Sequence, residues 1–230
     1  MKHDFSRIEE AIGATAQGQV LIVVDSEDRE DEGDFFIAAD LVTPEAIHFM
    51  ISEGRGQLCM PVMPDVATRL LLKSMVDIKE CGEQPRFAIP LDHRSCRSGI
   101  SPAERAFTIR AMVDPSSRAN DFVRPGHIFP LVAEPAGVLS RTGHTEAAVD
   151  LSRYAGLTPA GVLCEICSQD GQQMAKRAEL HRLADRFGLH MVAIDDLIAF
   201  RKRVSNGNNG NGTYDSITSP QKFHSIGTSP

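Results

Sequence analysis

The chain has no tryptophan and only two tyrosines. Flat rings that stack on sugars or bases are therefore scarce, which argues against a carbohydrate- or base-stacking surface. It also lacks any apolar run near the eighteen or so residues of a membrane span, so no membrane partner is expected. Positive charge is short as well. Lys and Arg total 24 against 31 Asp and Glu, and the net charge of −7 argues against a nucleic-acid partner. There is no P-loop and no Gly-x-Gly-x-x-Gly fingerprint. The start, Met1-Lys2-His3-Asp4, lacks the apolar core of a secretion signal. Five cysteines, odd in number and irregularly spaced, fit reduced thiols. A cytoplasmic protein is expected from these absences. Its 230 residues are ample for one domain with a real core.

What is present in excess is acid, and it is concentrated. Residues 25–34 read Asp-Ser-Glu-Asp-Arg-Glu-Asp-Glu-Gly-Asp, with seven acids in ten positions. Two short apolar stretches, 20–24 and 35–39, flank this loop and read as buried strands. Crowded carboxylates repel and raise one another's pKa unless a cation sits among them. Carboxylate oxygens suit a hard cation such as Mg²⁺. Arg29 is placed to hold one of the acids or to face an anionic substrate. The plain alternative is a solvated acidic turn between hairpin strands. An EF-hand does not fit, because the twelfth position of that loop is Ala39 rather than Glu.

Along the chain, the pattern predicts a helix over 6–17 with Ser6 as N-cap and Gly18 as stop. The second strand is expected to run to Leu41. Thr43-Pro44 opens a helix that closes at Gly54. A strand over 56–63, a short helix over 64–72, an irregular stretch over 74–85 and a strand over 87–92 follow. Ser101-Pro102-Ala103-Glu104 is a capping box with proline at the first helical position, and that helix runs to about Asp114. Further on, the pattern gives a strand over 127–133, a helix from about 145 to 155, and a strand over 162–167. A helix over 174–187, a strand over 191–194 and a helix over 195–204 complete it. The alternation is too loose for a Rossmann repeat. The fold expected is a single α/β (α+β) domain over residues 1–204, a mixed β-sheet layered with helices. Residues 205–230 are rich in Ser, Asn, Gly, Thr and Pro and read as a disordered polar tail.

Three more places carry chemistry. Arg141-Thr142-Gly143-His144-Thr145 lies just before a helix, where unpaired N–H groups and the dipole suit a phosphate. Gly143 allows close approach, Arg141 adds a bidentate cation and Thr145 a hydroxyl. His144 is a candidate metal ligand beside an acid of the first loop. An ordinary helix cap with a surface Arg and His is the alternative. Glu165 interrupts the apolar run 162–167, where burial would raise its pKa into the range of a general acid or base. An edge-strand Glu facing solvent is the alternative there. Cys164 and Cys167 fall on opposite faces of that strand, which disfavours a zinc pair. Arg124-Pro125-Gly126 delivers His127, a candidate base or a structural histidine, to a strand start. The loop 93–101, with His93, Arg94, Arg97 and three serines, is a candidate second anion contact.

Asp-Arg-Glu-Asp-Glu-Gly-Asp at 28–34, Arg-Pro-Gly-His at 124–127, Arg-Thr-Gly-His-Thr-Glu-Ala-Ala-Val-Asp-Leu at 141–151 and Gly-Val-Leu-Cys-Glu-Ile at 161–166 occur in this order. Over roughly residues 5–204 the chain thereby resembles the 3,4-dihydroxy-2-butanone 4-phosphate synthases of riboflavin biosynthesis. The resemblance implies a lyase that converts D-ribulose 5-phosphate to 3,4-dihydroxy-2-butanone 4-phosphate and formate. It also implies Mg²⁺ or Mn²⁺ and a homodimer, and the excess of acids leaves room for a second ion. Carried over by motif, Glu30 and His144 bind metal. Arg29, Glu30, Asp34, Arg141, Thr142, Gly143, His144, Thr145 and Glu165 contact substrate, and His127 and Glu165 serve the chemistry. The family usually has Thr-Gly-Ile-Ser where this chain has Ser98-Gly99-Ile100-Ser101. Many relatives carry a fused GTP cyclohydrolase II domain, and the polar tail in its place suggests a monofunctional form. Two other readings compete. One is another metal-dependent sugar-phosphate enzyme, an isomerase or aldolase; the other is a non-catalytic phosphate- or cation-binding module.

Overall fold

The apolar runs on either side of the acidic loop form an antiparallel pair, β1 (Leu21–Val24) and β2 (Gly33–Ala38), and every residue of both is buried. Strands with both faces covered need apolar side chains on both, which is why neither run alternates with polar residues. The computed structural model describes residues 5–76 and 84–207. Around β1 and β2 it assembles β3 (Arg55–Val62), β4 (Arg86–Phe87), β5 (Leu91–His93), β6 (Phe122–Val132), β7 (Gly161–Ile166) and β8 (Met191–Ala193). The strand order is β4-β6-β3-β7-β2-β1-β8, with β5 pairing β6. β1–β8 and β3–β6 are parallel, and the other pairs are antiparallel, so the sheet is mixed as expected.

Among the described residues, seven α-helices cover the sheet: α1 (Ile8–Ala16), α2 (Pro44–Phe49), α3 (Pro64–Arg69), α4 (Pro102–Val113), α5 (His144–Tyr154), α6 (Arg177–Phe187) and α7 (Ile194–Gly207). Alternation along the strands splits the core in two. Leu21, Val23, Phe36 and Leu163 face α1, α5 and α7. Ile22, Val24, Phe35 and Ile37 face α2, α3, α4 and α6. Each fully buried side chain of this size stabilises the fold by roughly 1.5–3 kcal/mol. No helix among the described residues is long and apolar enough to cross a membrane.

Several boundaries differ from the sequence expectation. Arg7, not Ser6, caps α1; Ser6 instead bonds His190 Nδ1 at 3.0 Å and the Met191 carbonyl at 2.7 Å, which ties the N-terminus to β8. The second strand ends at Ala38, and residues 39–41 turn as a 3₁₀ helix. The expected strand over 87–92 is two pieces. Pro90 has no N–H to donate, and β4 and β5 pair with different stretches of β6. β6 begins at Phe122, five residues earlier than expected, because β5 pairs with that extra length. α6 begins at Arg177 because Ala175 donates to the Ile166 carbonyl and prolongs the sheet instead. Thr43 and Ser101 cap α2 and α4 as expected. α7 continues to Gly207, so the expected boundary at 205 falls within a helix. The tail beyond 207, and part of the irregular stretch expected over 74–85, lie outside the described residues.

Candidate active site

The acidic loop is folded by its own first residue. Asp25, 1% exposed, stands just past β1. Its Oδ2 accepts Arg29 Nη1 at 2.7 Å and the Glu30 N–H at 3.3 Å, while Oδ1 accepts the Glu32 N–H at 2.8 Å. A second grip comes from the start of α6. Lys176 Nζ donates to the carbonyls of Glu30 (3.0 Å) and Asp31 (3.3 Å). Arg177 donates to Asp31 Oδ1 at 2.8 Å and to the Asp25 carbonyl at 3.1 Å, and pairs with Glu27 at 3.3 Å. Gly33 lets the loop lie against α6, since a Cβ there would come within 3 Å of Leu180. The loop is thus more than a solvated turn. Cations from α6 neutralise its outer acids, and Glu30, Glu32 and Asp34 line a cavity on the inner side.

That cavity holds about 180 Å³. Its polar lining comes from the acidic hairpin, the start of α5 with Arg141, His144 and Thr145, Glu165 of β7, and Gln84. Asp34 and Glu165 are cross-strand partners on β2 and β7. β7 lies between β3 and β2 in the middle of the sheet, so Glu165 is not the solvent-facing edge residue of the alternative reading. Burial, first, pushes Asp34 up to about 7; the charges of Glu165, Glu32 and Asp25 add to this and His144 opposes it. Burial and the neighbouring Glu30 also raise Glu32.

The Asp34 shift has a consequence for stability. The native state holds a proton on Asp34 at pH values where the unfolded chain has lost it. Its contribution to stability should therefore fall between about pH 4 and pH 7, by on the order of 1 kcal/mol per pH unit. Asp34→Asn should flatten that slope in metal-free protein. Urea midpoints of both proteins at pH 5 and pH 7 check this, and equal slopes would remove the shift.

Two buried atoms in the cavity wall, His144 Nε2 and Glu165 Oε2, have no hydrogen-bond partner among the described residues. Such orphans are costly unless a ligand or ion completes them. Ligand atoms of Asp25, Glu30 and His144 lie within 4.8 Å of one another, the only such group among the described residues. Imidazole with carboxylate oxygen is a donor set that fits a divalent cation. Asp25 already accepts three hydrogen bonds within the loop, whereas Glu30 is exposed and held only by Arg29 at 3.4 Å and His144 Nε2 has no partner, so these two are the members best placed to turn toward an ion. The four described cysteines form no disulfide and no cluster of this kind.

Arg141 Nη1 is held at 2.7 Å by Glu146 Oε2, and Glu146, 2% exposed, also accepts the Glu134 N–H at 3.1 Å. Gly143 caps α5 without a side chain, and a Cβ there would strike the Arg141 guanidinium. Thr142, with Arg29, Glu30 and Arg141, lines a wider cavity of about 580 Å³ beside the first. The structure therefore gathers Arg29, Glu30, Asp34, Arg141, Thr142, His144, Thr145 and Glu165 around two neighbouring cavities.

His127 is not in the lining of either cavity; it stands on β6, paired with Asp92. The loop 93–101 gives its N–H groups at 97–99 and the Ser98 and Ser101 hydroxyls to Glu104. This holds the Glu104 carboxyl down at about 2. The anion this loop embraces is thus its own carboxylate. Sequence reasoning missed Cys59, an uncharged cavity residue on a strand that carries no pattern to reveal it. It also missed Glu146 and Asp92. A buried acid at the end of the apolar stretch 87–92 was the available signal for the latter.

A family model described as 3,4-dihydroxy-2-butanone 4-phosphate synthase matches residues 9–200. The riboflavin biosynthesis protein RibBA of Bacillus mycoides is 50% identical over 198 residues, covering 86% of this chain and 50% of that protein. The chain thus spans about half the length of the curated relatives it matches. A solved 3,4-dihydroxy-2-butanone 4-phosphate synthase in complex with two magnesium ions superposes with a TM-score of 0.82 at 35% identity, covering 87% of this chain and 99% of that one. RibBX, a two-domain 3,4-dihydroxy-2-butanone 4-phosphate synthase from A. baumannii, gives 0.82 at 46% identity, over 85% and 58%. With its mixed sheet, its acidic hairpin facing the start of α5, and a match over most of its length, the chain belongs to the 3,4-dihydroxy-2-butanone 4-phosphate synthase family.

Proposed function

We propose that residues 1–204 form a Mg²⁺- or Mn²⁺-dependent lyase domain that converts D-ribulose 5-phosphate to 3,4-dihydroxy-2-butanone 4-phosphate and formate, in riboflavin biosynthesis. The observation that carries this reading is the convergence of Glu30, His144 and Glu165 on one cavity, two of them with buried atoms that lack partners. The reaction divides a five-carbon sugar phosphate into a four-carbon ketone phosphate and a one-carbon acid. It needs proton removal and return at several carbons, loss and regain of water, and a shift of the carbon skeleton.

The start of α5 binds the phosphate. Its unpaired N–H groups, the Thr145 hydroxyl and the Arg141 fork suit a dianion, and Gly143 keeps the approach clear. Thr142 and Arg29 line the wider cavity beside it, with Arg141. Glu30 and His144 hold the divalent cation, which when bound supplies an electrophile for the substrate oxygens. The relative solved with two magnesium ions supports room for a second ion, and Glu32 and Asp34 are the spare acids beside the first. Glu165 moves protons, and Asp34, its cross-strand partner, contacts the substrate. His127 reaches the chemistry from a second copy of the chain, because it lies outside the cavities of its own. A homodimer in the cytoplasm is therefore part of the proposal.

Formate release from purified protein given ribulose 5-phosphate and Mg²⁺ tests this reading. One formate per four-carbon product is expected. Turnover without formate would favour an isomerase or aldolase, and binding without turnover would leave a ligand-binding module. Arg141→Lys keeps the charge and loses the planar fork. It should raise KM for ribulose 5-phosphate by about tenfold, on the order of 1.4 kcal/mol. An unchanged KM would move the phosphate away from α5.

A further inference from the structure

One carboxylate outside both cavities holds His127 in two ways at once. Asp92, the middle residue of β5, is 5% exposed. Its Oδ1 accepts the main-chain N–H of His127 at 2.9 Å, and its Oδ2 lies 2.7 Å from His127 Nδ1. The first contact fixes the backbone of His127 and the second fixes its ring. The chain closes around this pair with two glycines. A Cβ on Gly99, where φ is +77°, would overlap the Asp92 carboxylate. A Cβ on Gly126 would run into the backbone of Leu91 and Asp92. Arg105 of α4 is close enough for the Asp92 charge to act on it. The His127 ring itself is 42% exposed, so its far edge is open.

We propose that Asp92 is a positioning residue that holds His127 in the tautomer with its proton on Nδ1, leaving Nε2 as the lone-pair nitrogen offered to the substrate. An ionised carboxylate only accepts hydrogen bonds, so the nitrogen facing it must donate. A neutral imidazole has one N–H, and placing it on Nδ1 leaves Nε2 to take a proton. The same carboxylate stabilises the imidazolium once Nε2 has been protonated. This rests on the reading above in one respect, that His127 takes part in the chemistry.

Asp92→Asn tests it in the full chain. The amide oxygen can still accept the His127 main-chain N–H, but the amide NH₂ then faces Nδ1 and needs an acceptor there. The ring should switch to the Nε2–H tautomer. In ¹⁵N imidazole spectra, with the His127 signal assigned by its loss in His127→Asn, the proton should move from Nδ1 to Nε2. The kcat should fall by ~10²-fold or more, with KM nearly unchanged, because a wrong tautomer removes the base without removing binding. Asp92→Glu restores an acceptor and should recover part of the kcat and the Nδ1–H signal.

An Nδ1–H tautomer that persists in Asp92→Asn would overturn the proposal. So would an unchanged kcat in a variant whose tautomer has switched, while His127→Asn is impaired. Full turnover in His127→Asn would overturn the role of His127 and the proposal with it. The spectra need no substrate, so they decide on the hold of Asp92 even if formate release fails. Should Asp92→Asn not fold, the same spectra on Asp92→Ala decide: an Nδ1–H tautomer that persists with no carboxylate to accept it would overturn the proposal.

Discussion

Stripping divalent cations from the protein should lower formate release by ~10³-fold or more, and adding back Mg²⁺ should restore it. The size follows from the several kcal/mol that a cation contributes to charge developing on substrate oxygens. The direction follows from the site. His144 Nε2 is buried without a partner, and Glu30 shares its neighbourhood with Asp25, Glu32 and Asp34. Without an ion, this wall presents an orphaned imidazole nitrogen and mutually repelling carboxylates. With one, both find a partner. Mg²⁺ should therefore also raise the melting temperature by mass action, with no substrate present. Glu30→Gln should weaken that thermal shift and regain part of its activity at high Mg²⁺. Full activity after EDTA dialysis, verified by elemental analysis, would end the argument for a required cation.

Glu165→Gln should lower kcat by ~10²-fold or more while cation affinity stays within a few-fold of the native value. The change keeps the size of the side chain and removes its titrating proton, and a positioned acid or base contributes on that scale. Glu165 is well placed for such a role. It lies on a central strand, opposite Asp34, lines the cavity, and has one buried oxygen unsatisfied. A rigid strand holds a proton shuttle more accurately than a loop does. Calorimetric titration with Mg²⁺ beside steady-state kinetics separates the two roles. Loss of cation binding in Glu165→Gln with retention in Glu30→Gln would reverse the assignment.

Much of this could be read from the residues because the signals were local. The uninterrupted apolar runs around 20–24 and 35–39 could only be strands covered on both faces, and they are. Thr43-Pro44 and Ser101-Pro102 state where helices begin, and the caps form. Gathering Glu30, His144 and Glu165 needed long, specific motifs, because the three lie on separate elements that only the sheet order brings together. What stayed hidden was set by distant partners. Ser6 looked like a cap, but its hydroxyl and N–H are claimed by His190 and Met191 at the other end of the chain. The loop 93–101 looked like an anion site, yet Glu104, a few residues on, folds back and fills it. Cys59 carries no charge or spacing that distinguishes a cavity wall from ordinary core.

In the proposed cation site, the hold of Lys176 and Arg177 on the acidic loop would tie affinity to side chains that are not themselves ligands. Four carboxylates cannot be gathered for nothing; either the ion itself does the work on arrival, or something else has done it beforehand. Here Asp25 has done part of it from within, and α6 does the rest by taking the carbonyls of Glu30 and Asp31 and the side chain of Asp31. An arriving cation then meets a loop with little freedom left to surrender, and its affinity keeps what ordering would otherwise consume. It follows that wear at the first turn of α6 reaches the site as entropy. A chain altered at Arg177 would keep every ligand and still hold its metal less tightly. Because the Arg177 pairs are partly exposed, the same loosening should follow from added salt.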